Sequence, residues 1–72
     1  MARGVVKFFR AEKGWGAIAS TELPPGEDAW VHFSMIDGPG YRFLDEGDVV
    51  EFDYEQAVQD SFRWRATWVR KL

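Results

Sequence analysis

The stretch "KGWGAIAS" (residues 13–20) places a tryptophan between two glycines, directly after a lysine. Strict alternation through it puts Ile18 on one face and Trp15 and Ala17 on the other. Ile18 is the natural core residue, so Trp15 and Ala17 are expected to point outward. A half-buried strand with an exposed ring is thus the first reading. Ala17 stands where an aromatic face would take a second ring.

Working outward, four further runs share the strand pattern: "GVVKFFR" (4–10), "DAWVHF" (28–33), "DVVEFDYE" (48–55) and "FRWRATWVR" (62–70). They are rich in Val, Phe, Trp, Tyr and Thr. Turn chemistry separates them in "AEKG" (11–14), "TELPPGE" (21–27), "IDGPGYRFLDEG" (36–47) and "AVQDS" (57–61). No segment has a helical period, and "FSMI" (33–36) allows one 3₁₀ turn at most. Five short strands with hairpin-length links predict an all-β fold, a small closed or nearly closed antiparallel barrel, because closure removes exposed sheet edges. The expected domain organisation is one domain over residues 1–72.

Alternation also sorts the faces. Ala29, Val31 and Phe33 share one side, with Trp30 and His32 on the other; Val31 marks the core side. Val50, Phe52 and Tyr54 read as core, opposite Val49, Glu51 and Asp53. In the last strand, Thr67 and Val69 lie opposite Trp64, Ala66, Trp68 and Arg70.

Seventy-two residues without cysteine exclude disulfides and thiolate metal sites, and the single His32 cannot build a zinc site alone. No cofactor or metal is expected. No apolar run approaches the roughly 20 residues that span a membrane, and no signal-peptide core is present, so a cytoplasmic protein is expected. The formal charge is −3, but it is unevenly distributed. Residues 1–20 carry a net +3, residues 21–60 a net −10, and residues 61–72 a net +4. A partner responds to this local field rather than to the total. The acidic runs "DEGD" and "EFDYE" read as a solvated face, with no cleft or partner that would make them catalytic.

Phe, Trp and Tyr make up 17% of the chain, more than a small core absorbs. Outward Trp15 and Trp30 on neighbouring strands, beside Lys7 and Lys13, suit single-stranded nucleic acid. Bases cover exposed rings, the lysines neutralise phosphates, and Gly14 and Gly16 would let a strand approach the backbone.

Four motifs in order now support a family resemblance. "KGWGAI" (13–18) resembles the first ribonucleoprotein motif of bacterial cold-shock proteins, K-G-F-G-F-I, and "AWVHFS" (29–34) resembles the second, V-F-V-H-F-S. "VVKFF" (5–9) is similar to V-K-W-F, and "GYRFLDEGDVVEF" (40–52) follows G-[FY]-K-x-L-x-E-G-x-x-V-x-F. The resemblance covers about residues 3–56. It implies an OB-type five-stranded barrel and a non-catalytic, low-specificity binder of single-stranded RNA or DNA, acting as an RNA chaperone and regulator of gene expression in a cold-shock-like stress role.

Carried over by position, the implied stacking residues are Phe8, Trp15, Trp30, His32, Phe33 and Tyr41, with Phe9 contributing partly. The implied polar contacts are Lys7, Lys13 and Asp28. Three departures stand out. Ala17 replaces a ring, at a cost of roughly 1–3 kcal/mol if nothing compensates. Arg10 replaces an Asn and can meet a phosphate or stack. The segment "QDSFRWRATW" (59–68) lacks the Arg-Gly-Pro-x-Ala pattern and offers Phe62, Arg63, Trp64, Arg65 and Trp68 instead. Arg63 and Trp64 are candidate extensions of the groove. The same tail rings equally suit packing over a barrel opening, or a protein-interaction surface through Phe62, Trp64 and Trp68, which is the alternative function. No small-molecule substrate is implied, and a monomer is expected.

Overall fold

The computed structural model describes residues 1–38 and 43–72. Its strands are β1 (Ala2–Arg10), β2 (Trp15–Ala19), β3 (Ala29–His32), β4 (Val49–Gln59) and β5 (Phe62–Lys71). They close into a barrel in the order β1-β2-β3-β5-β4, with β1 pairing β4 to complete the ring. Every pairing is antiparallel except β3 with β5, which run parallel. The all-β, OB-type reading holds, and each of the five expected runs overlaps one strand.

The interior is filled by Val6, Ile18, Val31, Val50, Phe52 and Val69, all essentially inaccessible, together with Ala2, Leu23, Ala29, Ile36, Leu44 and Ala66. Phe52 is the largest of the fully buried side chains. Small β-branched residues suit this space, because the inner faces of five strands converge on it.

Three register shifts interrupt the strand pairing, one between β1 and β2 and two between β4 and β5, the last of them at Gln56–Gln59 beside the hairpin. In β1, Val6 pairs with Ile18 and Phe8 pairs with Ala17, so Lys7 is an extra residue. Ala2, Gly4 and Val6 point inward before the bulge. After it the phase reverses, and Lys7 and Phe8 both face out. In β5, Trp68 opposes Asp53 while Ala66 opposes Tyr54, leaving Thr67 as the extra residue. Strict alternation puts Ala66 and Val69 on opposite faces; the bulge puts both in the core.

β4 runs on to Gln59 rather than ending near Glu55, so the expected five-residue turn shrinks to Asp60 and Ser61. Asp60 sits at φ 55°, a left-handed conformation that a short Asp side chain tolerates. After β3, residues Phe33–Met35 form one 3₁₀ turn. Phe33 therefore leaves the inward phase expected of it and is 46% exposed.

Candidate nucleic-acid interface

Register places the outward side chains of β1, β2 and β3 in two rows across the sheet. Arg10, Trp15 and His32 form one row; Phe8, Ala17 and Trp30 form the other. The rings interlock. Phe8 meets Trp15 edge-on at 5.5 Å, Trp30 lies parallel to His32 at 5.8 Å and 19°, and His32 is tilted against Phe33 at 4.5 Å. Phe8, Trp15, Trp30, His32 and Phe33 thus gather on one surface.

Ala17 is central to that surface and yet has no exposed area. In register it lies between Phe8 of β1 and Trp30 of β3. The expected gap in the platform is therefore not open to solvent. Beside it, the Trp30 indole N–H is covered and has no hydrogen-bond partner.

His32 is held by its own chain. Its Nδ1 accepts from the Ser34 backbone N–H at 3.3 Å and lies 2.8 Å from the Ser34 hydroxyl, capping the 3₁₀ turn. These contacts to Ser34 fix the ring plane beside Trp30.

The glycines serve packing rather than ligand approach. Gly14 is at φ 79°, and a Cβ there would lie 2.9 Å from the Phe33 ring; one at Gly16 would lie 2.3 Å from the Phe8 carbonyl oxygen. Both are buried. The Gly14 carbonyl also accepts from the Phe33 N–H at 2.8 Å, tying the β1–β2 turn to the end of β3.

The cations divide sharply. Lys13 and Arg10, in and beside the β1–β2 turn, are exposed and carry no ion pair among the described residues; the Arg10 guanidinium lies over Phe8 at 5.3 Å. Lys7 is bonded to Asp28 at 2.9 Å, so these two expected contact residues hold each other. Arg65 pairs with Glu55, Arg70 with Glu51, and Lys71 with Asp48 at 3.4 Å. The basic tail is thus mostly neutralised by the acidic strand beside it, and on β5 only Arg63 is without an ion pair among the described residues.

The remaining expected residues fall elsewhere. Phe9 pairs with Gly16 on the inner side and packs against the core. Trp64 also packs against the core, meets Tyr54 edge-on at 5.6 Å, and donates its indole N–H to Glu27 at 2.8 Å. This is the barrel-packing role among those open to the tail. Trp68 lies under the Arg70 guanidinium at 5.8 Å. The expectation for Tyr41 lies outside the described residues. Phe62, grouped in the sequence with the tail, stands edge-on to Trp15 at 6.1 Å. Its pairing with a β2 ring has no local sequence signal, because it depends on how far the β4–β5 hairpin extends.

A closed five-stranded barrel with outward rings from three strands gathered on one face, edged by cations without an ion pair among the described residues, defines a small nucleic-acid-binding OB-type domain. Comparison with known proteins agrees. The family model described as the 'cold-shock' DNA-binding domain matches residues 2–72. Cold shock protein CspC of Bacillus subtilis (strain 168) is 49% identical over 59 residues, covering 82% of this chain and 85% of that protein. Cold shock-like protein CspLB of Listeria monocytogenes is 51% identical over 53 residues, 74% and 76% of the two chains. The major cold shock protein of Streptococcus pyogenes serotype M1 is 52% identical over 56 residues, 78% and 79%. The chain belongs to the cold-shock DNA-binding domain family, and nucleic-acid binding is its function class.

Proposed function

We propose that this protein binds single-stranded RNA or DNA with little sequence preference and no catalytic step. Bases stack on Phe8, Trp15, Trp30, His32 and Phe33, while Arg10 and Lys13 follow the phosphates and Lys7 joins them once its bond to Asp28 opens. One observation carries this reading: aromatic rings line the outer face of β1–β3, with two cations at its edge that carry no ion pair among the described residues. Stacking needs only a π-face on the ligand, so any exposed base is accepted. A duplex hides those faces, so binding favours the open strand and opposes RNA secondary structure. RNA chaperoning and regulation of expression under cold or other stress follow, by a cytoplasmic monomer. No helix among the described residues is long and apolar enough to cross a membrane, which is compatible with that setting. The protein-interaction alternative draws no support from Trp64 or Trp68, which are already engaged within the chain.

The test is tryptophan fluorescence titrated with oligo-dT or oligo-U at two salt concentrations. Quenching is expected, with affinity falling as salt rises by about 0.7 log units per log unit for each phosphate neutralised. Unchanged emission with micromolar protein in low salt would refute single-strand binding.

A further inference from the structure

We propose that Phe62 and Arg63, at the start of β5, form an additional nucleotide subsite that continues the aromatic face past Trp15. This rests on the single-strand reading above and extends it to an element that the ribonucleoprotein motifs do not include.

Trp15 is flanked by two rings, Phe8 from β1 at 5.5 Å and Phe62 from β5 at 6.1 Å, both edge-on. The ring series Phe8–Trp15–Phe62 therefore runs from β1 to the hairpin. Position 17, which carries only a methyl group, is bypassed. Edge-on contact between flat rings leaves π-surface that is not consumed by the partner ring. Phe62 itself is only partly buried.

Next to Phe62 is an open groove of about 490 Å³ between the hairpin turn and the β2–β3 loop, lined by Gly26, Glu27, Asp28, Ser61, Phe62 and Arg63. That volume lies in the range of small-molecule sites and accommodates one nucleotide. Its two sides differ in charge. On the loop side are the acidic residues Glu27, bonded to the Trp64 indole, and Asp28, bonded to Lys7, an unfavourable neighbourhood for a phosphate. On the hairpin side is Arg63, exposed and the only β5 cation without an ion pair among the described residues. The base is thus directed onto Phe62 and its phosphate toward Arg63.

The experiment compares Phe62→Leu and Arg63→Gln with the unaltered chain, using oligo-dT of four and of eight nucleotides. Phe62→Leu keeps apolar bulk at the Trp15 contact but removes the π-face. It is expected to weaken the eight-nucleotide complex by about 5- to 150-fold and to leave the four-nucleotide complex within about twofold. Arg63→Gln is expected to reduce the log–log salt slope for the longer strand alone, by about 0.7. Phe62→Tyr restores a ring and should restore the longer-strand affinity. Thermal melting of each variant establishes that the fold is kept. Equal loss at both lengths would mean that Phe62 only props Trp15, and no loss at either would mean that the groove takes no nucleotide; each overturns the subsite. If the unaltered chain binds neither oligonucleotide, single-strand binding itself falls, and the subsite with it. Loss confined to the variants and the longer strand separates the two claims.

Discussion

Trp15 occupies the crossing of the aromatic face, touching a ring on either side and pairing in register with His32. Trp15→Ala is expected to weaken oligo-dT binding by about 5- to 150-fold, measured by quenching of the remaining tryptophans. Ala17 behaves differently, because it is already fully buried. Ala17→Phe is expected to gain less than about fivefold in affinity, well short of a full stacking contact. A gain of tenfold or more in the same titration would show that a gap persists at position 17. Trp30 has a smaller structural fault, a covered indole N–H with no acceptor. Such a group costs about 1–3 kcal/mol relative to a satisfied one. Trp30→Phe removes it together with some buried area, so urea unfolding should show a stability change within about 1 kcal/mol despite the smaller ring. "KGWGAI" and "AWVHFS" made these outward rings legible, since alternation around Ile18 and Val31 fixes their phase. They did not show that Ala17 would be buried, which depends on how the closed barrel packs around that position.

At the scale of elements, the β4–β5 ribbon decides what the basic tail can do. Glu51 faces Arg70 and Glu55 faces Arg65 in direct register, so the charges cancel across the strands. Exposed pairs of this kind contribute only about 0–1 kcal/mol each, and their larger effect is on the field. Arg65 is also the β5 register partner of Trp30. Glu55→Gln should therefore release a cation next to the aromatic face. The expected outcome is tighter oligo-dT binding at low salt, a log–log slope steeper by about 0.7, and under about 1 kcal/mol lost in stability. An unchanged slope would place Arg65 out of reach of the strand. The net +4 of the last twelve residues was readable from the sequence, but its cancellation was not. Ion pairing depends on the strand register, which in turn is shifted by the Thr67 bulge.

For the molecule as a whole, the barrel must close for the face to exist, because Phe8, Trp15 and Trp30 come from three different strands. A chain of this size has a folding stability of about 4–11 kcal/mol. Phe52→Ala removes the largest fully buried side chain and is expected to cost about 3–5 kcal/mol, a large part of that margin. Circular dichroism on heating should show a much lower or non-cooperative transition, with nucleic-acid binding lost in parallel. Retained binding in an unfolded variant would mean that the face does not need the barrel.

By itself the sequence determined the number and order of the strands, the inward residues of β2 and β3 and the outward rings beside them. These follow from local alternation and turn chemistry, which act over a few residues. Tertiary structure alone decided the rest. The Lys7 and Thr67 bulges reversed the phase of β1 and β5, the 3₁₀ turn brought Phe33 out beside His32, and β4 grew until the hairpin set Phe62 against Trp15. Each of these outcomes depends on which strands become neighbours when the barrel closes, and no short window of sequence contains that information.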